Sequence, residues 1–156
     1  MRTPPLSTPI YGTRVHPVRT HEDESAALSL LMDLSTRVAF DVETTGIGFH
    51  DELRLVQFSD LTDAYCFEPQ RWPKLATLLA QRPNCVAHNA GFDAHHLARF
   101  CGLDVTQVLE GVTDTMVLAR IVDPRTKKDG YGHGLKYLAA KYVDPDAPDG
   151  DKALMA

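Results

Sequence analysis

The sequence predicts an α/β domain in which one mixed sheet is covered by helices. Two observations carry this reading. Three short apolar runs, at 37–42, 53–59 and 64–67, follow one another with turn residues between them, the pattern of a meander. A fourth run, at 85–88, then stands between helical patterns at 72–81 and 91–101. A meander followed by a helix–strand–helix unit makes a sheet with both antiparallel and parallel neighbours. A length of 156 residues is right for one domain with a real core.

Each element has its own signal. Residues 1–20 hold four prolines and three arginines and read as an extended, flexible N-terminal arm. From Glu22 to Arg37, Ala26, Ala27, Leu30, Leu31 and Leu34 recur at helical spacing behind Glu22, Asp23 and Glu24, acids that favour a helix N-terminus. Arg37–Val42 is the first strand, and Gly46 and Gly48 mark the turn after it. Leu53–Ser59 alternates as a second strand, and a short turn joins it to the third, Ala64–Phe67. Trp72–Gln81 is a helix with Pro73 in its first turn, and Trp72 is read as packing. Cys85–His88 is the fourth strand, and Gly91–Cys101 a helix stopped by Gly102. Thr113–Val122 is a helix with Thr113 as its N-cap. A basic, glycine-containing loop leads to a last helix, Leu135–Tyr142, and a tail with two prolines and four aspartates.

Composition narrows the function. The chain is 44% apolar and 24% charged with a net charge of −5, so it has no broad basic surface for duplex DNA. The three cysteines are scattered without C-x-x-C spacing and read as free thiols in a reducing compartment. No apolar stretch approaches a membrane span and no signal peptide is visible. The expectation is a cytoplasmic protein without a membrane partner.

Two carboxylate motifs stand out. Asp41-Val42-Glu43-Thr44-Thr45 ends the first strand, and His88-Asn89-Ala90-Gly91-Phe92-Asp93 follows the fourth. Acids are depleted in strands and costly to bury unpaired. Residues two apart on a strand share a face, so Asp41 and Glu43 present their carboxylates side by side. A hard divalent cation, Mg²⁺ or Mn²⁺, is the natural partner of such an all-oxygen pair. The plain alternatives are a strand-end pair satisfied by amides or arginines, and for Asp93 an acid that favours a helix N-terminus.

The ordered set D-V-E-T-T, R-L-V-Q-F, A-H-N-A-G-F-D, T-D-T-M-V-L-A-R and H-G-L-K-Y-L-A resembles the DEDD (DnaQ-like) 3′→5′ exonucleases. The likeness is greatest to the proofreading domain of family A DNA polymerases, including those of bacteriophages, and covers residues 36–150. It implies an RNase H-like fold, a five-stranded mixed sheet flanked by helices. It implies that Asp41, Glu43 and Asp93 are the catalytic, metal-holding carboxylates for two ions, Mg²⁺ or Mn²⁺, in an in-line phosphodiester hydrolysis. Thr44, Asn89 and Phe92 would contact the terminal nucleotide, and Asp114 would support the site from behind the ligands. The implied partners are a single-stranded DNA 3′ end and a polymerase chain or domain.

One motif departs from the pattern. The family's third motif is a Tyr or His followed four residues later by Asp on a further helix. Tyr137 is followed by Lys141, and His133 by Tyr137. Tyr142 is followed by Asp146, but at the start of a proline-containing loop. The expectation is therefore an exonuclease-like domain over 21–156 that is incomplete at its C-terminus. Two other functions stay open: a catalytically incomplete fragment or binding module of a polymerase proofreading domain, and an RNase D-like enzyme acting on RNA.

Overall fold

The computed structural model describes residues 12–125, 127–129 and 131–143. They fall into two compact units that divide after Thr113.

The first unit runs β1 (Arg14–Pro17), α1 (His21–Met32), β2 (Val38–Thr44), β3 (Leu53–Ser59), β4 (Asp63–Phe67), α2 (Pro73–Ala80), β5 (Cys85–Ala87), α3 (Ala90–Cys101), α4 (Val105–Leu109) and β6 (Val112–Asp114), whose last residue opens the second unit. The strands form one six-stranded sheet in the order β1-β4-β3-β2-β5-β6. β2, β3 and β4 are the antiparallel meander, while β1 joins β4 and β5 joins β2 in parallel. Burial alternates cleanly along β2. Val38, Phe40 and Val42 are buried, and Ala39, Asp41 and Glu43 are exposed. Phe40 lies opposite Phe58 and Val42 opposite Val56. These side chains, with Phe67 of β4 and Leu75, Leu79, Ala94 and Leu97 of the helices, form the core.

The sheet has six strands, against the five that the resemblance implied. The arm expected over 1–20 is a strand at Arg14–Pro17, and residues 1–11 lie outside the described residues. Arg14 and His16 both reach Asp63 on the neighbouring strand, at 2.8 and 2.7 Å, which fixes the pairing that a proline-rich sequence hides. Trp72 is buried, and its indole N–H donates to the Val18 carbonyl at 3.0 Å. Thr113 is not a helix cap. It lies in β6, and Asp114 caps the next helix instead. α4 escaped the pattern reading although its signal was present. Asp104 and Gln107 form a capping box, each side chain bonded to the other's backbone N–H region.

Gly111 ties the far end of the sheet. Its carbonyl accepts from Cys85 N–H at 2.8 Å. A methyl group there would sit 2.4 Å from the Arg82 carbonyl oxygen, which is backbone and cannot rotate away. Gly111→Ala is expected to destabilise the protein by about 1–3 kcal/mol, read as a lowered melting temperature.

The second unit contains α5 (Thr115–Val122), a 3-10 turn at Lys127–Asp129, and α6 (Leu135–Tyr142). Asp123 gathers its loop. Arg125 donates to both carboxylate oxygens at 2.8 and 2.7 Å, Lys141 approaches at 3.7 Å, and His133 Nε2 meets the Asp123 carbonyl at 2.8 Å. These cations hold the Asp123 carboxyl well below the usual range. Arg125 also lies 3.5 Å over the Tyr131 ring, so its guanidinium is engaged within the loop. Asp146, the last residue of the Tyr142 pattern, lies outside the described residues. No helix among the described residues is long and apolar enough to cross a membrane.

Candidate active site

The site begins where β5 ends. β5 is only three residues long, and its ladder to β2 stops at the Ala39–Val86 pair. The chain then turns through His88 and Asn89, which adopts the left-handed conformation (φ 61°) tolerated best by Gly and Asn. α3 starts at once. Asp93 falls in its first turn and is turned inward, 3% exposed. Its Oδ1 accepts from Val42 N–H at 3.0 Å. A helix side chain thus occupies the edge of β2 beyond the end of β5. Val42 stands between Asp41 and Glu43, so the second motif is fastened to the backbone of the first.

Asp41 and Asp93 are close neighbours. Burial, and then the Asp41 charge, push the Asp93 carboxyl up to about 7, against the opposing pull of the Val42 N–H. Partial desolvation of its carboxyl raises Asp41 as well, opposed by Asp93 and the Val42 N–H. Two carboxylates held together at this cost make the pair a candidate functional site. Glu43 is on the same exposed face, two residues along. Among the described residues no three acidic, histidine or cysteine side chains are already gathered at ligand spacing. The preformed part of the site is the Asp41–Asp93 pair, with Glu43 beside it.

Each of the other expected residues has its own local setting. Thr44 follows a β-bulge at Glu43/Thr44 and donates through its hydroxyl to the Gly46 carbonyl. Bulges bend a strand and re-aim its side chains. Asn89 is exposed at the N-terminus of α3. Phe92 is half-buried against the core, its ring 4.7 Å from that of His96. Asp114 is engaged at the start of α5, accepting from Met116 N–H at 2.8 Å and Val117 N–H at 3.3 Å.

Two features were not read from the sequence. The first is Gln57, directly across from Asp41 on β3. Its side-chain amide donates to Asp41 Oδ2 at 3.3 Å and to Glu43 Oε1 at 3.5 Å. The second is the anchoring of the loop after Thr44. His95 Nε2 and Arg99 Nη1, both on α3, meet the Phe49 carbonyl at 3.1 and 3.0 Å. Asp51 braces the same loop from inside, bonding Gly48 N–H at 2.6 Å and the Thr45 hydroxyl at 3.3 Å. The loop presents Ile47 and Phe49, 95% and 72% exposed, next to the carboxylates in sequence.

Residues 15–153 match the family described as 3′-5′ exonuclease. The chain belongs to that family. It is 31% identical over 150 residues to the DNA polymerase of Mycobacterium phage L5, covering 91% of this chain and 25% of that protein. It is 30% identical over 128 residues to the DNA polymerase of Mycobacterium phage D29, covering 76% of this chain and 21% of that protein. The chain therefore spans about a quarter of the length of these polymerases. Among solved structures, the catalytic core of RRP6 from Trypanosoma brucei superposes with a TM-score of 0.65 at 22% identity, over 91% of this chain and 37% of that one. RNase D from Escherichia coli gives 0.63 at 16% identity, over 90% and 36%. At such identities the likeness is one of fold, the RNase H-like sheet of DEDD exonucleases. Enzymes of this family generally use divalent metal ions, and the donor set here suits them. It is all oxygen, and its closest pair is held at a charge cost that a hard cation relieves.

Proposed function

We propose that this domain removes nucleotides from the 3′ end of single-stranded DNA, with Asp41, Glu43 and Asp93 holding two divalent ions, Mg²⁺ or Mn²⁺. The observation that carries the reading is the Asp41–Asp93 pair, fastened through Val42 N–H at the open edge of β2. Bound divalent ions supply activation of water and neutralise charge at the leaving oxygen. The protein's own residues do the positioning. Asp41 is set by the central strand and Asp93 by the first turn of α3. Thr44, Asn89 and Phe92 are proposed to contact the terminal nucleotide, and Asp114 to support the site through the start of α5. Exposed Phe49 and Ile47 offer apolar surface to bases. The phage polymerase relatives favour DNA as substrate, a polymerase chain or domain as partner, and the cytosol of a phage-infected bacterium as location.

A second reading is a binding module of a proofreading domain without turnover. It is favoured by the departure from the family's third motif, since Tyr137 is followed four residues on by Lys141 and His133 by Tyr137. Digestion of a 5′-labelled single-stranded oligonucleotide, with Mg²⁺ or Mn²⁺ and with chelator, separates the two. Metal-dependent stepwise shortening from the 3′ end, lost in Asp41→Ala, is the expected result. A folded protein that leaves the strand intact with both metals would sink the nuclease reading and leave the binding module.

A further inference from the structure

We infer that Gln57 is a positioning residue of the metal site, holding Asp41 and Glu43 in one orientation through its side-chain amide. The inference rests on the metal-binding reading above and extends it to a residue outside the acidic motifs.

The register places Gln57 there. Asp41 pairs with Gln57 across the antiparallel β2–β3 ladder, so the two side chains rise from the same face. Glu43 is the diagonal neighbour on that face. On its other side Gln57 pairs with Cys66 of β4, a weak acceptor. Two strong acceptors lie within reach of its amide, the carboxylates of Asp41 and Glu43. A carboxamide has two N–H donors, and Gln57 Nε2 lies 3.3 Å from Asp41 Oδ2 and 3.5 Å from Glu43 Oε1, a long contact to each acid. The opposite orientation would turn a third acceptor oxygen towards two carboxylates.

The consequence is a division of labour around Asp41. On one side Asp93 adds negative charge, and on the other Gln57 adds donors without adding charge. The amide contacts both Glu43 and Asp41, a link that two ionised carboxylates cannot make to each other. A second carboxylate at position 57 would increase the repulsion. An apolar side chain would remove the amide's contact with Glu43 Oε1. Residues that orient metal-binding side chains from behind typically cost 10–100-fold in metal affinity when replaced.

The test uses the whole chain, with Gln57→Leu and the unbranched Gln57→Met. Mn²⁺ affinity is read by calorimetry, and the melting temperature is taken with and without Mn²⁺. Both variants are expected to melt as wild type does in chelator, to bind Mn²⁺ at least about tenfold more weakly, and to show a smaller Mn²⁺-induced rise in melting temperature. Wild-type affinity in both variants would overturn the inference alone. Loss of the metal-free fold in both would make Gln57 a packing residue and overturn it too. A wild-type protein that binds no Mn²⁺ would overturn the inference together with the metal reading.

Discussion

Asp93→Asn is expected to make the metal-free protein more stable and the metal-loaded enzyme inactive. In chelator at pH 8 the wild type must hold an ionised Asp93 in a buried place beside Asp41, which is why its carboxyl titrates near 7. Asparagine removes that charge, and its side-chain oxygen can still accept from Val42 N–H. The gain is about 2 kcal/mol, discounted for residual solvent screening from the full value of the shift. On the proposed function the same change also removes a metal ligand. The Mn²⁺-induced rise in melting temperature should vanish, and 3′ digestion should fall by about a thousandfold. A variant destabilised in chelator would show that Asp93 is there to hold α3 on β2 rather than to bind a cation.

The sign of the pH dependence follows from the same group. The folded pKa of Asp93 is raised above the ordinary 3.8 to about 7. Its contribution is therefore full below the ordinary value and is lost as pH rises through 7. Metal-free wild type should lose stability between about pH 4 and 7.5 in thermal melts, and Asp93→Asn should show a flatter profile over that window. Mn²⁺ should flatten the wild-type profile as well, because it binds the deprotonated form.

Asp41 and Glu43 were legible because an acid at the end of an apolar strand breaks a local rule that a single sequence exposes. Asp93 breaks none, since an acid favours a helix N-terminus, and the resemblance singled it out. Strands β2 to β5 were legible for the converse reason, since their alternation obeys the rules. What escaped had no local exception to show. Gln57 is unremarkable in an alternating strand, and only the β2–β3 register brings it opposite Asp41. The β1 strand is too short and too rich in proline and charge to signal, and its pairing is fixed by Asp63, 47 residues after His16. β6 is three residues long and borrows its stability from β5. His95 and Arg99 share a partner that is a backbone carbonyl, which has no sequence signature.

Arg82 is the sharpest case of this kind and carries the largest expected loss of stability. In sequence it is a loop arginine before a proline, ordinarily solvated. In the structure it is 3% exposed. Its guanidinium donates to the carbonyls of Leu31, Asp33 and Thr36 at 2.8, 2.8 and 2.6 Å. Leu31 and Asp33 belong to the C-terminal end of α1, where carbonyls lack helical partners, and Thr36 leads into β2. One side chain thus satisfies the exit of α1 and sets the entry of the strand that bears Asp41 and Glu43. Its own carbonyl lies against Gly111, the residue that joins β5 to the end of the sheet. Arg82→Met keeps much of the apolar stem and leaves three carbonyls without this donor, at a cost of about 3–5 kcal/mol. The expected fall in melting temperature is about 10 °C. Because the lost bonds lie at the opposite end of β2 from the carboxylates, the folded fraction of Arg82→Met should keep wild-type Mn²⁺ affinity. A small change in melting temperature would mean that water replaces the guanidinium at these carbonyls and that β2 is positioned by its ladders alone.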